Sequence, residues 1–157
     1  MSIRELEEKL FDEWQEKLEY NIENKKIFVR DGLVDEVSYF KAPVKILYLL
    51  KEVNGGDKNW DLRKYVEDGG RPATWDNITR WTKGIFRYRE ELNWSSLEEI
   101  NEDSRKETLK HIIAVNLKKI PGGHTTDYKK LEDFLEKPSN NDYLKRQISL
   151  YNPDIIV

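Results

Sequence analysis

Residues 44–56 read Val-Lys-Ile-Leu-Tyr-Leu-Leu-Lys-Glu-Val-Asn-Gly-Gly. The run Val44–Leu50 is apolar apart from Lys45, which predicts a central strand covered on both faces. A turn at Asn54-Gly55-Gly56-Asp57 ends it. A second apolar run, Ile112-Ile113-Ala114-Val115-Asn116-Leu117, ends near Pro121-Gly122-Gly123, and a third begins at Pro153-Asp154-Ile155-Ile156-Val157. Helix-prone segments lie between the three. Strands separated by helices pair in parallel through right-handed crossovers. The expected fold is therefore α/β: a three-layer α/β/α sandwich around a central, mainly parallel sheet.

Outward from that frame, Ser2 followed by Glu5 forms a capping-box signal, and Ile3, Leu6, Leu10, Trp14 and Leu18 recur at helical spacing, predicting a helix over 3–20. Next, Ile-Phe-Val-Arg (27–30) and Leu-Val-Asp-Glu-Val (33–37) flank Asp31-Gly32, the turn pair that predicts a β-hairpin. Thr74 caps a predicted helix whose one face carries Trp75, Ile78, Thr82, Ile85 and Phe86, with Arg80, Lys83 and Arg87 on the opposite side. One helix-prone stretch runs from about 95 to 110, and two more helices are expected over 127–136 and 141–150. The third strand stops without a turn, so the expectation is a single domain, 1–157, that continues past Val157.

Composition narrows the function. A chain of 157 residues removes roughly 68–70% of its unfolded surface from water, enough for a core. The absence of cysteine excludes disulfides, thiolate zinc sites, cysteine-held iron–sulfur clusters and a cysteine nucleophile. Two histidines are too few for a histidine-rich metal site. No stretch approaches the length of apolar residues a membrane span needs, and the start carries no leader pattern, so a cytoplasmic protein without membrane contact is expected. Net charge is −3, but residues 1–20 hold three basic and seven acidic side chains whereas residues 71–90 hold five basic and two acidic ones. One region can face an anion while the whole stays acidic.

In open α/β sheets, ligands bind beyond the carboxyl ends of the strands, where loops converge and helix N-termini offer free N–H groups. That edge collects Lys51, Glu52, Asn54, Gly55 and Gly56 after one strand and Asn116, Lys118, Lys119, Gly122, Gly123 and His124 after another.

The run Ile46–Gly55 resembles the first strand and water-activating loop of the uracil-DNA glycosylase superfamily, closest to the family with a Gly-Glu-Ala-Pro-Gly loop. Glu52 and Gly55 match its Glu and final Gly, while Lys51, Val53 and Asn54 depart from it. Val115-Asn116-Leu117 resembles the second strand, where an asparagine reads the base edge. Gly70-Arg71-Pro72 resembles the Gly-Arg-Pro-Phe segment, with Ala73 in place of the stacking Phe. Leu150–Val157 resembles the helix end and third strand before the histidine-bearing loop, which would lie past Val157. The resemblance implies a DNA repair protein that excises or binds a flipped uracil-type base. On it, Glu52 orients water, Asn54 and Asn116 contact the base, and Trp75 or Trp60 supplies a stacking face. Arg71, Arg80, Lys83, Arg87 and Lys118 would hold DNA phosphates. The resemblance implies uracil-containing DNA as the partner, and a monomer without cofactor or metal is expected.

Plainer readings stand beside these. Glu52 can salt-link to a neighbouring lysine, Asn116 can bond a loop, Trp75 at helical spacing can be core, His124 can be a surface residue, and the basic ridge can be a solvated face. Glu52 with Asp57 could hold magnesium. Two other functions stay open: a non-catalytic nucleic-acid or nucleotide-binding module on the same fold, and a nucleotide-processing enzyme using the Gly55-Gly56 turn for phosphate.

Overall fold

The computed structural model describes residues 1–18, 27–55 and 60–157. In chain order the elements are α1 (Ile3–Lys17), β1 (Gly32–Leu33), α2 (Glu36–Lys41), β2 (Ile46–Leu50), α3 (Leu62–Glu67), α4 (Pro72–Phe86), α5 (Ser95–Glu98), α6 (Glu102–Leu109), β3 (Ile112–Asn116), α7 (Tyr128–Leu135), α8 (Pro138–Tyr151) and β4 (Ile155–Ile156). The protein is α/β with a mixed four-stranded sheet in the order β1-β3-β2-β4. β2 pairs in parallel with β3, Ile46 opposite Ile112 through Leu50 opposite Asn116, and in parallel with β4 on its other side. β1 runs antiparallel to β3.

The continuous apolar runs are buried because the sheet is packed on both faces. Leu47, Ile113 and Val115 join Leu10, Phe11 and Trp14 of α1 and Tyr143, Leu144 and Tyr151 of α8. Ile46, Tyr48, Ile112 and Ala114 join Leu62 and Val66 of α3, Trp75 and Ile78 of α4, and Leu109 of α6. The capping box at Ser2 and Glu5 is formed as expected; positions 19 and 20 of the expected first helix lie outside the described residues.

Three local expectations are corrected. The hairpin about Asp31-Gly32 is absent: Gly32 and Leu33 pair instead with Ala114 and Ile113, and Asp35 caps α2 through the backbone N–H of Ser38. Gly32 has φ +113°, and a Cβ there would collide with the Glu7 carboxylate and the Tyr151 hydroxyl. Its glycine serves a close approach inside the protein, not a two-residue turn. The stretch 95–110 is two helices, because Asn101 ends the extended link at Glu99 and caps α6 through Ser104. α4 begins at Pro72 and not after Thr74, with Arg71 at its N-cap position, since proline at the first helical position has no N–H to leave unpaired.

Candidate functional site

The parallel pairing of β2 and β3 continues past their ends. Leu117 N–H donates to the Leu50 carbonyl at 2.7 Å, Lys118 N–H to Lys51 at 3.0 Å and Gly122 N–H to Val53 at 2.8 Å. The loop Lys119–Pro121 is thrown out between these contacts and is tied down by Val29 N–H on the Lys119 carbonyl at 2.8 Å. After β2 the chain goes to α3, α4 and α6, which pack on one face of the sheet. After β3 it goes to α7 and α8, which pack on the other. In open α/β sheets ligands bind in the crevice beyond the carboxyl ends of the strands.

Glu52, Asn54 and Lys118 meet there. The carboxylate of Glu52 pairs with the Lys118 ammonium, and the two side chains are 4% and 9% exposed. Gly122 covers the pair: a Cβ at that position would fall on the Glu52 carboxylate. Asn54 Nδ2 lies 3.3 Å from His124 Nδ1. At the rim, the exposed Lys51 ammonium donates to the Tyr128 hydroxyl at 2.6 Å and sits 4.6 Å from that ring's centre. The crevice thus offers a buried carboxylate with one oxygen engaged by lysine, an amide, an imidazole and a tyrosine ring. Gly56 and Asp57, named above for phosphate and magnesium, lie outside the described residues. Among the described residues no three histidine, aspartate or glutamate side chains gather as metal ligands would.

No protein-family model, curated protein or solved structure matches the chain.

The remaining sequence-derived candidates are dispersed. Asn116 is buried at the end of β3, and its backbone N–H and side-chain amide both donate to Asp31 Oδ2, at 2.8 and 3.1 Å. Trp75 is 3% exposed in the core, because its helical spacing puts it on the sheet side of α4, and no ring face is open to a base. Trp60 packs on Tyr65 with ring centres 5.6 Å apart. Arg71 is exposed at the start of α4. Arg80 donates to the carbonyl of Leu97 and to Asn77 Oδ1, Lys83 to Ser104 Oγ, and Arg87 pairs with Glu90 at 2.7 Å. The basic ridge therefore ties α4 to the segment 90–104 as well as facing solvent.

Sequence reasoning missed what holds the crevice from below. Asp31 accepts from the Lys119 ammonium at 2.6 and 2.8 Å, from Gln147 Nε2 at 2.9 Å and from both Asn116 groups. Beside it Glu7 accepts from Tyr151 Oη at 2.7 Å, Leu33 N–H at 2.8 Å and Arg63 Nη1 at 3.1 Å. Burial pushes the Lys119 ammonium down from its ordinary range, opposed by the charge of Asp31; burial likewise pushes the Glu7 carboxyl up, opposed by its donors. Asp31 thus fixes both the last residue of β3 and the loop that follows. One signal existed for Glu7: a carboxylate at the fourth position from Ile3 and the third before Leu10, on the apolar stripe of α1. Nothing local marked Lys119.

Proposed function

We propose that this chain is a uracil-DNA glycosylase-like domain, a three-layer α/β/α sandwich, that takes a base turned out of DNA into the crevice between the carboxyl ends of β2 and β3. The observation that carries the reading is the buried Glu52–Lys118 pair, with Asn54 beside His124, beyond the carboxyl ends of two adjacent parallel strands. Extruding a base requires a pocket that satisfies its edge and a group that orients water at the sugar. In this reading Glu52 orients the water through the oxygen that Lys118 leaves free. Asn54 contributes to the base side, Asn116 holds the end of β3 through Asp31, Lys118 engages Glu52, and Arg71, Arg80, Lys83 and Arg87 are the cations left to meet phosphates. The protein works as a cytoplasmic monomer without cofactor. No described helix is long and apolar enough to cross a membrane, and the lack of cysteine suits a reducing compartment.

Glu52→Gln is the test. Uracil release from a single strand is expected to fall by about 10²–10⁴-fold, the usual worth of a positioned acid–base group, while preferential binding of the uracil strand persists. Unchanged release in the variant removes Glu52 from the mechanism. The Glu52–Lys118 pair under Gly122 also favours a second reading, a module that holds the base without cleaving it. Uracil-selective binding with no release of base by the unaltered protein decides for that one.

A further inference from the structure

Far from the crevice, the second half of α4 and the turn into α5 present three aromatic rings to solvent. Trp81 is 52% exposed, and Tyr88 and Trp94 are 61% exposed. Exposed large rings are the groups a protein keeps for a partner, because each carries 150–250 Å² of surface that water disfavours. Tyr88 lies two residues past the end of α4 at Phe86, and Trp94 stands just before α5. Trp94 is brought back to α4 by Arg80, the residue before Trp81, whose guanidinium lies 5.9 Å from the indole centre.

The cations of this region are held by neutral acceptors. Arg80 is bound by the Leu97 carbonyl and Asn77, and Lys83 by Ser104. Arg89 lies 5.1 Å over the Tyr88 ring and donates to its hydroxyl at 2.7 Å. Among the described residues no carboxylate pairs with Arg80, Lys83 or Arg89; Arg87 alone of this set is neutralised, by Glu90. A chain of net charge −3 thus keeps cations without carboxylate partners beside exposed rings, with the Trp94 indole N–H donating to Glu98 at 3.1 Å. Pro43, just before β2, borders the hollow formed by Phe86, Arg87 and Tyr88. Tyr88 therefore lies near the amino end of β2, whereas Glu52 follows its carboxyl end.

We propose that Trp81, Tyr88 and Trp94, with Arg80 and Arg89, form a stacking surface for single-stranded nucleic acid, separate from the crevice. Phosphates and unstacked bases match cations and exposed rings held side by side; in a duplex the base faces are covered and cannot reach them. The inference extends the phosphate role of Arg80 and Lys83 but does not depend on any recognition of uracil.

The experiment is titration of the full chain with a short oligothymidylate, which holds no uracil, read by tryptophan fluorescence and repeated with a matched duplex. Saturable quenching by the single strand, weakening with salt, is expected. Each ring removed should weaken it by about 5- to 150-fold, so Trp81→Ala/Trp94→Ala should lose at least about 25-fold. Circular dichroism of that variant should match the unaltered chain, since both rings are exposed. An unaltered affinity in the double variant, equal affinity for the duplex, or no saturable binding overturns the proposal. So does a dimer in sedimentation that the double substitution abolishes while no oligonucleotide binds, for the rings would then be a protein interface. Any of these leaves the uracil test at Glu52 standing, because the thymidine strand does not probe the crevice.

Discussion

Asp31→Ala is expected to lower the unfolding free energy by about 3–5 kcal/mol, because it strips the partner from a buried charge. Asp31 and Lys119 have no exposed side-chain surface. Without the carboxylate, the Lys119 ammonium keeps only the faces of Phe11 and Trp14, 5.8 and 5.4 Å from its nitrogen, and the more distant charge of Glu7. Donors on Asn116 and Gln147 lose their acceptor at the same time. For a domain of this size the loss corresponds to a melting temperature lower by roughly 6–20 °C. Asp31→Asn keeps an acceptor and should cost less. Adding Lys119→Met to Asp31→Ala should recover part of the loss, since removing both charges spares the unpaired one. Urea denaturation of the set measures this, and a cost for Asp31→Ala below about 1 kcal/mol would mean that Lys119 reaches water.

Trp14→Ala should be as damaging, at about 3–5 kcal/mol, for a different reason. The indole is fully buried, stacked on Tyr143 with ring centres 5.5 Å apart and planes 13° from parallel. It meets the edge of Phe28 at 5.8 Å, and its Nε1–H donates to Asn140 Oδ1 at 3.0 Å. Removing it leaves a cavity between α1 and α8 and an unpaired amide oxygen. Trp14→Phe retains ring packing but not the hydrogen bond, so about 1–3 kcal/mol is expected. The two sites are coupled: the Lys119 ammonium lies on the Trp14 ring as well as on Asp31. A double variant should therefore depart from additivity. A Trp14→Ala cost near zero in the same urea series would show that α1 is not docked on α8.

Much of the frame was legible because burial on both faces leaves an uninterrupted apolar run. Val44–Leu50 and Ile112–Leu117 contain β2 and β3 within a residue or two, and the stripe Trp75, Ile78, Thr82 is the buried side of α4. Asp31-Gly32 misled because a glycine at positive φ beside an aspartate carries the same local signature in a turn and in a packed core. What separates the two cases is Glu7, Tyr151 and Lys119, residues distant in sequence. The same limit applies at the site. Glu52 and Lys118 were legible as strand-end residues, but their pairing depends on register across 66 positions. The amide of Asn116 is committed to a carboxylate 85 positions earlier, which no local pattern marks. The exposed rings of Trp81, Tyr88 and Trp94 became visible only once α4 had shown which of its faces is buried.

The central claim is that the crevice beyond β2 and β3 is where a base is held. An amide-shift map by NMR tests it most directly, with a short single strand carrying one uracil added first and the same strand carrying thymine added to a second sample. The account predicts saturable shifts centred on residues 51–55 and 117–124 that are larger with uracil. Any shifts at residues 80–94 should be alike for both strands. Saturable binding that leaves 51–55 and 117–124 unmoved, or moves them equally with the two strands, would contradict it.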